Sequence, residues 1–123
     1  MSNNDKRIII FDDDEDILAI CTYILEERGW QVHTFNNCNN ITTKVGQINP
    51  DVILMDNWIP DDGGIVATQI IKASPDLKHI PIIYFSANND IQLLAQNAGA
   101  DSFLAKPFDI EELEQTINKV LVS

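Results

Sequence analysis

The chain has little that would place it outside an ordinary aqueous compartment. Its 123 residues hold no apolar run long enough to span a bilayer. The N-terminal MSNNDKR is followed by IIIF, which acids cut off at once, so no signal-peptide core forms and a cytoplasmic location is expected. Only two cysteines occur, Cys21 and Cys38, without CxxC spacing. Cys21 falls on the apolar face of an expected helix, Cys38 reads as a loop or helix-start residue, and a disulfide is not expected. His33 and His79 are isolated and lack a second ligand at metal spacing. Basic residues are scarce: 8 Lys and Arg against 19 Asp and Glu give a formal net charge of −11. Such a chain is repelled by phosphate backbones, so direct nucleic-acid binding is not expected.

What the chain does have is apolar residues in short blocks, 45% of the total and enough for one buried core. IIIF (8–11), VILM (52–55) and IIYF (82–85) are continuous and rich in β-branched residues, the signature of parallel strands buried on both faces. Two weaker strands are expected at WQVHTF (30–35) and DSFLA (101–105). Between them lie amphipathic stretches. Ile17, Ile20, Cys21, Ile24 and Leu25 form a helical stripe that ends at Gly29. Ile41, Val45 and Ile48 form a second stripe, stopped by Asn49-Pro50. Residues 65–73 and 91–98 give two more. Asp109-Ile-Glu-Glu112 reads as a capping box before a last helix carrying Leu113, Ile117, Val120 and Leu121. No linker, repeat or low-complexity tract interrupts this, apart from the loop NNCNN (36–40). The expectation is one α/β domain over 1–123, a doubly wound five-stranded parallel sheet with five helices on its two faces.

In such sheets function collects at the carboxyl ends of the strands. Those ends read Asp12-Asp13 after the first strand, Asp56 after the third, Ser86 after the fourth and Lys106 after the fifth. Three carboxylates brought to one edge repel each other and call for protons or a cation. Hard oxygens from two or three carboxylates suit Mg²⁺. With a lysine and a hydroxyl beside them, these are the parts of a phosphoryl-transfer site with Asp as nucleophile. Asp14, Glu15 and Asp16 are assigned instead to the start of the first helix, where acids favour the dipole.

The acid pair in IIIFDDDED, the segment LMDNWIPDDGG (54–64), FSA (85–87) and AKPF (105–108) stand in this order within a five-fold β-α chain. Together they resemble the receiver domain of bacterial two-component response regulators, from about residue 6 to about residue 122. The resemblance implies the strand order 2-1-3-4-5, a chemotaxis-regulator-like fold. It makes Asp56 the acceptor of a phosphoryl group from a histidine kinase or a histidine phosphotransfer protein. Asp13 would bind Mg²⁺ directly, Asp12 would support it, and the backbone carbonyl of Trp58 would complete the ligands with Asp56. Ser86 and Lys106 would bind phosphoryl oxygens, and Phe103 is similar to the family's rotamer reporter. The chain would promote only its own phosphorylation and dephosphorylation and would not act as an enzyme on other substrates. The fourth helix, fifth strand and fifth helix, about 90–121, would form the signalling face toward a downstream effector.

Departures fall at variable positions: Trp58 and Asn88 would flank the path of hydrolytic water, and Trp58 is expected to shield the acyl phosphate. Ile59 stands where Met is common. Of two other readings, one remains open at this point. Asp12-x-Asp14 resembles the nucleophile motif of haloacid-dehalogenase-type phosphatases, although Asp16 stands where Thr or Val is usual. A calcium loop beginning at Asp12 fails, because Ile17 and Tyr23 fall where Gly and Glu are needed. No DNA-binding segment follows Ser123, which leaves a stand-alone receiver and one domain of a longer protein both open; the lack of arginine after Arg28 on the face at about 90–121 makes a stand-alone or phosphorelay receiver the expectation.

Overall fold

The fold comes from a computed structural model, and the structure describes residues 6–56, 63–86, 99–105 and 108–121, with no account of the side chains at 63–65 and 86. The elements are β1 (Arg7–Phe11), α1 (Glu15–Glu27), β2 (Gln31–Phe35), α2 (Ile41–Ile48), β3 (Val52–Asp56), α3 (Gly63–Ala73), β4 (Ile82–Ser86), β5 (Ser102–Ala105) and a C-terminal helix (Ile110–Leu121). The five strands are parallel, in the order β2-β1-β3-β4-β5. The helix expected at 91–98 lies outside the described residues.

The continuous apolar runs are explained by the two cores. On one face Ile8, Ile10, Leu54 and Phe85 pack against Leu18, Cys21 and Leu25 of α1 and Leu113 and Ile117 of the C-terminal helix. On the other, Ile9, Phe11, Ile53, Met55 and Tyr84 pack against Ile41 and Val45 of α2 and Ala67 and Ile71 of α3. Alternate residues of a strand face opposite sides, so a strand covered on both must be apolar throughout. Cys38 sits in the loop before α2, as read, and is buried in the second core. The stripe on α1 is rotated from expectation. Leu18 is buried, while Ile20 is 60% exposed.

Local chemistry sets the helix ends. Asp14 is the cap of α1, outside its first turn, and accepts from the N–H groups of Asp16 (3.0 Å) and Ile17 (3.4 Å). At the other end Trp30 N–H donates to Leu25 O (3.0 Å) and Gly29 N–H to Glu26 O (3.1 Å), with Gly29 at φ +89°. That double bond pattern needs a left-handed residue at Gly29. It also places Trp30 in the cap, so β2 begins one residue later than its sequence pattern suggests. The capping box forms as read: Glu112 N–H donates to Asp109 Oδ1 (2.8 Å), and Asp109 N–H to Glu112 Oε1 (3.1 Å).

The end of the sheet away from the acids is held by Lys72 and Asp101. Lys72 Nζ donates to Asp101 Oδ2 (2.6 Å) and to the carbonyl of Ile80 (2.9 Å). The same Asp101 oxygen accepts from Ile82 N–H (2.8 Å). One carboxylate thus ties α3 to the starts of β4 and β5.

Tyr84 is the largest fully buried side chain among the described residues. Burial pushes its phenol up to about 12 from 10.0, and the negative charge of Asp56 adds to the rise. The folded state therefore holds this proton more tightly than the unfolded chain does. The stabilisation is intact below about pH 10 and is lost as pH climbs toward about 12. Urea unfolding across that window should show wild type losing about 2–3 kcal/mol more than a Tyr84→Phe variant. Parallel pH profiles for the two would contradict the burial of an ionisable phenol there.

Candidate functional site

Two neighbouring strand ends and the turn after one of them make the site. β1 and β3 pair directly, with Phe11 opposite Met55, so the residues that follow each apolar run emerge side by side. Asp56 is the last residue of β3 and is only 2% exposed. Asp12 follows β1, is fully buried, and still donates its N–H to Phe35 O of β2 (3.1 Å). Its Oδ1 accepts from Asp14 N–H (2.8 Å), which fixes the carboxylate at the turn. Asp13 is exposed.

Carboxylate oxygens of Asp12, Asp13 and Asp56 all lie within 4.8 Å of one another. At that separation like charges repel strongly, and two of the three cannot turn out to water. An all-oxygen, anionic donor set of this kind fits a hard divalent cation such as Mg²⁺. The exposed member leaves the group open on one side, where waters or an incoming phosphate could complete a coordination shell.

Asp14 stands apart from this group, with its side chain committed to the helix end. Glu15 and Asp16 occupy the first turn of α1, as expected for acids at a helix N-terminus. The acid run therefore divides between a cation site and a helix start.

Ser86 is the last residue of β4, opposite Ala105, the last of β5. Its neighbour Phe85 is opposite Asp56. The backbone thus places Ser86 at the edge that carries Asp56. Trp58, Ile59, Asn88 and Lys106 lie outside the described residues. Phe103 lies on β5 opposite Tyr84 and is 40% exposed. Tyr84 is the residue that sequence reasoning missed. The signal available was a phenol inside an otherwise apolar strand, two residues before Ser86.

Residues 8–118 match the family model described as the response regulator receiver domain. The chain is 34% identical over 122 residues to the CAI-1 autoinducer sensor kinase/phosphatase CqsS of Vibrio cholerae, covering 97% of this chain and 17% of that protein. It is 34% identical over 119 residues to the DNA-binding transcriptional regulator NtrC of Azospirillum brasilense, covering 94% and 24%. The chain thus spans a minor part of both relatives. Among solved structures it is similar to a response regulator from Chloroflexus aurantiacus, with TM-score 0.90, 25% identity and coverage of 97% and 99%. It is also similar to the receiver domain of the sensor histidine kinase PA1611 from Pseudomonas aeruginosa, with TM-score 0.88, 26% identity and coverage of 97% and 99%. That structure has a magnesium ion coordinated in its active-site cleft. With the parallel sheet and its acidic edge, these matches establish that the chain belongs to the response regulator receiver domain family, the phosphoacceptor switches of two-component signalling.

Proposed function

We propose that Asp56 is the phosphoacceptor, taking a phosphoryl group from a phosphohistidine on a histidine kinase or a histidine phosphotransfer protein. The observation that carries this reading is the convergence of Asp12, Asp13 and Asp56 at the carboxyl edge of the sheet. A carboxylate oxygen of Asp56 attacks phosphorus, the P–N bond breaks, and the imidazole leaves with its electron pair while an acyl phosphate forms. Burial holds Asp56 in one place, which favours in-line attack. Asp12, Asp13, Asp56 and the Trp58 carbonyl would hold Mg²⁺, and bound Mg²⁺ neutralises charge on the transferring group. Ser86 and Lys106 would then bind phosphoryl oxygens. Asp12 remains an unconvincing nucleophile for a phosphatase of the Asp-x-Asp type, because Asp14 is turned away to cap α1.

The chain would act as one domain over 1–123, promote its own phosphorylation and dephosphorylation, and work in the cytoplasm. No helix among the described residues is long and apolar enough to cross a membrane. The face expected at about 90–121, formed by the fourth helix, β5 and the C-terminal helix, would carry the signal to a protein effector. The net charge of −11 argues against direct nucleic-acid contact.

Incubation with Mg²⁺ and a small acyl phosphate, followed by mass-spectrometric mapping, should add one phosphoryl group at Asp56 and none in Asp56→Asn. Labelling at Asp12 would overturn the assignment. Trp58→Ala should lose phosphate faster than wild type in the same assay; an unchanged half-life would remove the shielding role given to Trp58.

A further inference from the structure

A second feature lies on the flank of α1 beside the edge strand β2, and its lining does not include Asp12, Asp13 or Asp56. Glu15, Leu18, Ala19, Thr22, Tyr23 and Glu26 recur at i, i+3, i+4, i+7, i+8 and i+11, one continuous face of α1. Together with Thr34 of β2 they line an open groove of about 440 Å³. The centre of the groove is apolar or small, Tyr23 is 69% exposed at its rim, and no basic side chain lines it. Neither Glu15 nor Glu26 has a side-chain partner among the described residues.

The strand beside it is open as well. Among the described residues β2 pairs only with β1. Gln31 N–H donates to Lys6 O (2.8 Å) and Phe35 O accepts from Asp12 N–H (3.1 Å), so the odd-numbered peptide groups of β2 face β1. Those of Val32 and Thr34 then face outward. The strand's sequence, QVHTF, contains no proline or lysine to guard that edge.

The two features are close in length. Glu15 and Glu26 are separated by about 16 Å along the helix, at about 1.5 Å per residue. Strand residues i and i+4 stand about 13 Å apart at about 3.3 Å per residue, and long cationic side chains reach across the difference. We propose that an extended basic segment of a partner protein adds as a sixth strand along β2. Its face toward α1 carries a cation, an apolar residue and a second cation at i, i+2 and i+4. The cations meet Glu15 and Glu26, and the apolar residue covers Ala19 and Thr22. Main-chain bonds to Val32 and Thr34 supply affinity, and the α1 face supplies selectivity. This docking does not depend on which aspartate is phosphorylated.

The test titrates isotope-labelled full chain with the blocked peptide Ser-Arg-Thr-Val-Thr-Arg-Ser, followed by NMR. A peptide of the same composition, Ser-Thr-Arg-Val-Arg-Thr-Ser, puts the cations on the wrong face. The first peptide should give saturable shifts at Ala19, Thr22, Tyr23 and Thr34, and should slow amide exchange at Thr34. The second peptide should bind about fivefold more weakly, as should the first peptide to a folded Glu15→Gln/Glu26→Gln variant. Equal binding of both peptides, shifts centred on Asp12 and Asp13, a helical bound peptide, or no shift up to about 5 mM would each overturn the proposal.

Discussion

Mutual repulsion among three carboxylates governs this molecule's working end. Asp12 and Asp56 are buried, so water cannot screen them, and Asp13 completes a group whose oxygens all fall within 4.8 Å. At an effective dielectric of about 20, two unit charges 4.8 Å apart repel by roughly 3 kcal/mol before solvent discounts the exposed member. The fold maintains this arrangement by force of the surrounding packing: three strands of almost uninterrupted apolar contact, β1, β3 and β4, stand directly beneath the acids. A site so loaded with like charge is disposed to accept a cation, and a cation brings phosphate oxygens with it. The stability of the rest of the sheet makes that disposition possible.

Backbone bonds keep the charges from relaxing apart. Asp12 is pinned twice, by its own N–H on β2 and by the Asp14 N–H on its carboxylate. Asp14 in turn caps α1, so the position of the helix and the position of the acid are set by one short turn. Tyr84 adds a neutral, buried phenol on the neighbouring strand whose proton is held partly by the charge of Asp56. The strand ends are therefore one electrostatic unit and not a set of independent side chains.

Much of this was legible in the residues. Strands buried on both faces write themselves as continuous apolar runs, which is why IIIF, VILM and IIYF located β1, β3 and β4, and with them Asp12 and Asp56. Two things were not legible for physical reasons. Periodicity finds a helix but sets its phase poorly when isoleucine and leucine alternate. The packing of Leu18 and the exposure of Ile20 depend on where the Asp14 cap starts α1 against the sheet. Burial of Cys38 likewise depends on the tertiary path of an asparagine-rich loop, which local composition does not reveal. Tyr84 was hidden because a phenol in a strand reads as an ordinary core aromatic until its neighbour is known to be a carboxylate. The flank of α1 was hidden for the same reason in reverse, since the open edge of β2 exists only once the strand order is known.

The central claim is that the acidic edge is a destabilising arrangement relieved by a divalent cation. The direct measurement is the urea unfolding free energy of the chain against Mg²⁺ concentration at constant ionic strength, beside Asp13→Asn. The account predicts that wild type gains about 1.4 kcal/mol per tenfold rise in Mg²⁺ once the site saturates. It also predicts that Asp13→Asn starts more stable in the absence of Mg²⁺ and gains much less. Equal and flat responses from both proteins would contradict it.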